Sequence, residues 1–209
     1  MRAKRPYHHA NLKQSLLDAA VDLLAEAGPQ GFTLREVARR AGVSHNAPYR
    51  HFNDKDDLLA AVAAEGFDRL TACMKAAMTE GVSAPERLRL AGRGYVEFAM
   101  GSPQRLLIMF ETPPPLDPRP EFEAAGMRAF QVLLDAISAV QAEGALPQGD
   151  PQTFAVVAWA AVHGLAKLAI GGRLPFDAKR TIEFTGYLSR ALMHGMANLP
   201  APDVPSNFP

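Results

Sequence analysis

Residues 32–44 carry a nearly complete set of helix start and stop signals, and they constrain the fold more than any other stretch. Thr33-Leu34-Arg35-Glu36 reads as a capping box, in which the Thr33 hydroxyl accepts from the Glu36 amide and the Glu36 carboxylate reaches back to the Thr33 amide. Phe32 and Val37 stand at the two positions of a hydrophobic staple. A helix is therefore expected over residues 34–40. The tight turn Ala41-Gly42-Val43 follows, with Gly42 free to take positive φ. Ser44 is a good N-cap for a short third helix through about His51. Pro48 is tolerated only near the start of a helix, so this one must begin close to Ser44.

Upstream, Leu12, Leu16, Ala19, Ala20, Leu23, Leu24 and Ala27 recur at helical spacing until Gly28-Pro29. Downstream, Asp54, with Asp57 three residues on, caps a long helix expected over residues 56–79, closed by Gly81. Two helices on a glycine turn, the second short, make the helix-turn-helix pattern. Such a pattern lays its second helix on base edges in the major groove. His45 and Asn46 can donate and accept there, and Ala47 is small enough to meet a thymine methyl. Tyr49, Arg50, His51 and Lys55 can reach phosphates, with Arg35 and Arg39 on the preceding helix. The competing reading is a plain helical hairpin with a solvated polar face.

Charge favours the first reading. The whole chain balances 22 Lys+Arg against 22 Asp+Glu, which excludes a bulk DNA coater or a polybasic membrane binder. Residues 1–55, however, hold nine Lys/Arg and five Asp/Glu, a surplus of four cations that the rest of the chain cancels. Four of the six histidines also lie there. A basic head on a mildly acidic body is the pattern of a polyanion reader joined to something else.

Residues 12–62 resemble the N-terminal domain of tetracycline-repressor (TetR) family regulators. The resemblance is carried by FTLREVARRAGVSHNAPYRHFNDKDDLL, with AGVS, Tyr49, His51-Phe52 and Lys55 at the family's spacing. It implies phosphate contacts at Thr33, Ser44, Tyr49, His51 and Lys55, and base reading at residues 45–47. Asn46-Ala47-Pro48 stands where the family usually has Gly-Thr-Leu or Gly-Ala-Leu, so a threonine hydroxyl is absent at 47. Phe52 is expected as a core anchor. Arg2, Lys4 and Arg5 form a basic arm that either enters a minor groove or is a solvated tail.

Ala and Leu (36 and 23) far outnumber Val, Ile and Thr (12, 4 and 7), and no stretch alternates with period two. An all-α fold follows. Its expected parts are an arm and helix-turn-helix head over residues 1–55, an effector-binding and dimerisation body over 56–198, and a Pro-rich tail over 199–209. The long helix after the head is expected to be the only direct covalent lever between head and body. Body helices are expected near 85–100, 103–111, 121–143, 151–171 and 177–197, with the stiff PPPLDPRP linker between the second and third.

Tyr95, Phe98, Arg105, Met109 and Phe110, opposite Phe130 and Leu134, are candidate pocket walls, though such stripes serve equally as plain core. WAAVHG (159–164) resembles the Trp-x-x-x-His-Gly signature of one group of TetR C-terminal domains, and adds Trp159 and His163 as candidate ligand residues. The helix over 154–170 is apolar almost all round and must be buried on several sides. With Phe184, Leu188, Leu192 and Met196, repeating every four residues on the last helix, it is expected to form a two-fold interface.

The single Cys73 excludes a disulfide framework and a Cys-rich zinc site, and fits a reducing cytoplasm. MRAKRPYHHANLK has no apolar core and does not read as a signal peptide, and no stretch reaches roughly 20 apolar residues, so no membrane partner is expected. His8-His9 lacks a third metal ligand. There is no Glu-x-x-His pair, no GxxxxGK[ST] and no convergent His/Asp/Ser set, so neither an enzyme nor a cofactor is expected. The chain thus reads as a homodimeric regulator of a palindromic double-stranded DNA operator, released by a small, mainly apolar effector. The alternative is a regulator with no small-molecule effector, or one that answers to a protein partner.

Overall fold

The computed structural model describes residues 9–27, 31–111 and 119–198. Among them are eight α-helices and no strand: α1 (His9–Ala27), α2 (Leu34–Arg40), α3 (Lys55–Met78), α4 (Ala84–Gly101), α5 (Pro103–Glu111), α6 (Pro120–Ala142), α7 (Pro151–Ile170) and α8 (Ala178–Ala197). The helix limits agree with the sequence expectation to within a residue or two. The basic arm, most of the PPPLDPRP linker and the Pro-rich tail lie outside the described residues.

The chain forms two units, one of Met1–Gly66 with Gln104–Ala124 and the other of Phe67–Pro103 with Ala125–Pro209. It therefore passes from one unit to the other three times. Between these units α3 is one of three connections, whereas the single lever was expected of a head that ends at residue 55.

In the first unit the signals of residues 32–44 act as read. The Thr33 hydroxyl accepts from the Glu36 amide at 3.3 Å, and Glu36 Oε2 accepts from the Thr33 amide at 2.7 Å. Phe32 and Val37 are both buried. At the other end of α2, Gly42 takes φ 70°, the Val43 amide donates to the Ala38 carbonyl and the Gly42 amide to that of Arg39. This is a Schellman closure, which requires a left-handed residue at the glycine position.

The third helix differs from expectation. Residues 44–47 form a turn, and only Pro48–Arg50 is helical, as a single 3-10 turn. Pro48 has no N–H to give the Ser44 carbonyl, so an α-helix begun at Ser44 cannot continue through it. The chain instead closes tighter bonds, Ala47 amide to Ser44 carbonyl at 2.9 Å and His51 amide to Pro48 carbonyl at 2.9 Å. Asp54 then accepts from the Asp57 amide at 2.7 Å, and Asp57 Oδ2 accepts from both the amide and the side chain of Asn53 at 3.0 Å, starting α3.

In the second unit α4, α7 and α8 pack against one another. A further cluster joins Leu88, Ile137, Val140, Leu146, Phe154 and Met196. Thr181 and Thr185 of α8 are fully buried and return their hydroxyls to the carbonyls four residues back. Contrary to the sequence expectation, α7 reaches the length and composition of a bilayer span, with mean hydropathy 1.6. The helix packs against both α4 and α8, which buries about a third of that apolar stretch.

Candidate functional site

The first site is the turn after α2. Ser44, His45, Asn46, Tyr49, Arg50 and His51 are exposed, as are Arg35 and Arg39 on α2. Tyr49 is 52% exposed although it is a large aromatic. Ala47 is corrected: it is buried beside the fully buried Pro48, so its methyl packs inward and is not presented to a base.

Thr33 has its hydroxyl proton on Glu36 Oε2, at 3.0 Å, within the capping box. Lys55 lies with Nζ 4.8 Å from the Phe32 ring centroid, which holds its ammonium beside the start of α2. Arg40 is occupied by a bidentate pair with Glu26 of α1, which lowers the Glu26 pKa. The cations left on this surface are Arg35, Arg39, Arg50 and Lys55, as a phosphate-facing surface needs.

The second site lies in the second unit, where α4, α6 and α7 bring Tyr95, Phe130, Trp159 and His163 together. The Tyr95 hydroxyl is 2.7 Å from His163 Nδ1. The Trp159 ring stands 6.0 Å from Phe130, edge-on, and 6.2 Å from His163. Trp159 also hydrogen-bonds Tyr95. The Tyr95 hydroxyl and His163 Nδ1 share one hydrogen bond, in which the imidazole tautomer decides which of the two donates. Burial pushes the Tyr95 hydroxyl well above its ordinary range, opposed in part by the Trp159 bond. Burial likewise holds His163 below its ordinary value of 6.5. The result is a neutral polar relay inside an aromatic setting. Phe98, one turn from Tyr95, is buried, and Phe130 and Leu134 pack partly against the core.

The remaining ligand candidates belong to the other unit. Arg105, Met109 and Phe110 belong to α5 in the first unit. Arg105, expected as the cation of a pocket, is corrected: it is buried and its guanidinium is taken by Asp18 of α1 and Glu65 of α3. Met109 lies over Gly66, where an added Cβ would meet its sulfur at 2.6 Å.

On α8, Phe184 and Leu188 are partly or largely exposed, but Met196 is buried in the unit's own core and Leu192 packs against it. Met196 is thus corrected as an interface residue. A four-residue repeat advances about 40° per step on a helix of 3.6 residues per turn, so the row turns from the surface into the core. The sequence reading missed Tyr187, 61% exposed and in a row of mutually tilted rings with Phe184 and Phe176.

The neutral His163 has a consequence for stability. Between its depressed folded pKa and 6.5, the unfolded chain binds more protons than the folded one. Stability from this group therefore rises with pH through that window and is level above it. Urea midpoints at pH 8 and pH 5 should fall more for the wild type than for His163→Gln. Equal falls would remove His163 as the source.

Comparison with known proteins agrees with the arrangement. Residues 16–62 match the family model described as bacterial regulatory proteins of the tetR family, and residues 88–186 match that of the tetracyclin repressor-like C-terminal domain. The two models cover most of the chain, and the protein belongs to the TetR family of DNA-binding transcriptional regulators.

A structure of a protein of unknown function from Rhodococcus sp. RHA1 is 34% identical over 93% of this chain and 100% of that one, with a TM-score of 0.79. An HTH-type transcriptional repressor of Mycobacterium tuberculosis is 41% identical over 61 residues, 29% of this chain and 32% of the relative. The chain thus matches about a third of the length of that curated relative. The regulator FadR from Bacillus subtilis, solved in complex with stearoyl-CoA, shares the fold at 18% identity, covering 88% and 97% of the two chains with a TM-score of 0.72.

Proposed function

We propose that this regulator binds a palindromic operator as a homodimer through the turn of residues 44–51, and that a small, mainly apolar molecule bound in the second unit releases it. The observation that carries the reading is the exposed set His45, Asn46, Tyr49, Arg50 and His51, held on one short turn between a capped α2 and a capped α3. His45 and Asn46 read base edges. Ser44, Tyr49, His51 and Lys55, with Arg39 and Arg50, hold phosphates. Two such turns one helical repeat apart, about 34–36 Å, fit two half-sites.

The effector reading rests on the Tyr95–Trp159–His163 relay, which offers hydrogen bonds within aromatic walls. That combination suits a long apolar chain carrying a polar group, and the Bacillus subtilis protein was solved with stearoyl-CoA, whose acyl part is such a chain. The Trp159-x-x-x-His163-Gly164 run supports reading the body as one of the TetR C-terminal domains that carry this signature. Effector binding releases DNA only if it favours the conformation in which the two turns are misspaced.

Selection of duplexes from random DNA by the full chain tests the first half. Tyr49→Phe and Lys55→Ala should then weaken all duplexes about equally. His45→Ala or Asn46→Ala should shift base preference by about 1–3 kcal/mol at one position of each half-site. The reverse pattern overturns the contact assignment. A thermal-shift screen with acyl compounds tests the second half, since a specific binder raises the melting temperature. No shift with any of them favours a regulator without a small-molecule effector.

A further inference from the structure

Two arginines far along the chain grip the head of the molecule. Arg105 of α5 is 6% exposed. Its Nη2 donates to Asp18 Oδ1 of α1 at 2.6 Å, and its Nη1 donates to Glu65 Oε2 of α3. The Gln14 amide closes the ring, donating to Glu65 Oε1 at 2.8 Å and to Asp18 Oδ1 at 3.1 Å. Arg119, just before α6, sets Nη1 3.3 Å from Asp57 Oδ1 and Nη2 3.9 Å from Asp54 Oδ1. Those two carboxylates also start α3, directly after the exposed turn.

We infer that Arg105 and Arg119 are positioning residues for DNA recognition: the reading unit is built from two separate stretches of chain, and these side chains fix α1 and α3 relative to the turn between them. A guanidinium is a rigid planar fork, so the two carboxylates on Arg105 are held at a separation that the fork dictates. Asp18 belongs to α1, which packs on α2, and Glu65 to α3, which follows the reading turn. Without the fork, two negative charges would face each other beside a buried site, and the helices would part. Arg119 acts at the other end of the same half of α3, where the turn hands over to the helix. The recognition surface contains neither arginine, so both act through the residues that touch DNA.

The inference rests on the DNA reading proposed above, and full-length Arg105→Lys, Arg105→Met and Arg119→Gln variants test it. The probes are a duplex enriched from random DNA by the wild-type chain and a scrambled duplex of equal length. Lysine keeps the charge and loses the fork. Arg105→Lys should keep a circular-dichroism melt close to wild type, bind the scrambled duplex within about twofold, and lose at least tenfold on the enriched duplex. Arg105→Met and Arg119→Gln should lower the same ratio. The inference is overturned if the ratio is unchanged in all three variants, or if affinity for both duplexes falls together in proportion to the unfolded fraction. Failure of the wild-type chain to enrich any duplex is a different result, which overturns the DNA reading itself and this inference with it.

Discussion

Replacing Gly94 with alanine is expected to lower the stability of the second unit by about 1–3 kcal/mol, among the largest effects available to a single methyl group. A Cβ at this position would stand 2.8 Å from the Cys73 carbonyl oxygen, 3.0 Å from Met74 Cα and 3.1 Å from Ala77 Cβ. Two of those three atoms are backbone of α3, so no rotamer change relieves the contact. The helices α3 and α4 must separate or slide. Helix propensity runs the other way, since alanine is favoured over glycine by about 1 kcal/mol, and the observed loss is the steric cost less that gain. For a chain of this size the melting temperature should fall by roughly 2–10 °C. Gly101, where an added Cβ meets nothing within 4 Å, is the control, and its alanine variant should be neutral or slightly stabilising. A Gly94→Ala variant as stable as that control would show that α3 and α4 are not held at this distance.

The second large effect concerns self-association. Phe184 and Tyr187 stand on the exposed side of α8 with ring centroids 5.6 Å apart, and Phe176 extends the row. On α7, Val157 and Leu168 are also exposed, 41% and 49%. An isologous dimer counts each substitution twice, because the same patch appears on both sides. If this row lies in the interface of the proposed homodimer and each aromatic anchor contributes about 2 kcal/mol, Phe184→Asp with Tyr187→Asp should weaken that dimer by at least three orders of magnitude. The expected product is a folded monomer by light scattering, holding one half-site and bound far more weakly to a palindromic duplex. An unchanged dimer would falsify the proposed interface. Leu192→Asp is a poor substitute, since Leu192 packs against the unit's own core and the variant would report folding instead.

How much of this was legible in the sequence depended on the range of the interactions involved. The capping box, the staple, the Gly42 turn and the Asp54 cap are local, set by residues within five positions of one another, and all are present. Pro48 carried its own warning. A missing N–H stops an α-helix, but whether the chain then starts earlier or tightens into a 3-10 turn depends on where Ala47 and Pro48 find burial. The fate of Arg105 was not legible. Its neighbours Leu106 and Ile108 indicated burial, and a buried guanidinium demands carboxylates. The ones it uses lie 40 and 87 residues away, among other acids that local pattern does not distinguish. Met196 failed through arithmetic that the sequence did contain, since a row of every fourth residue winds around a helix. The grouping of Tyr95 with His163, 68 residues apart, was anticipated only as membership of the same set of candidates.

The three passages of the chain between its units also bear on protein engineering. Regulators of this kind invite grafting, in which the reading part of one is fused to the sensing part of another at a single seam. Here one seam after Gly66 would take Asp18, Glu65, Asp54 and Asp57 and leave their arginine partners behind in the discarded sequence. A workable transplant therefore needs three junctions, or a recipient that already carries arginines at the places of 105 and 119. The chain is modular in space but not along its length.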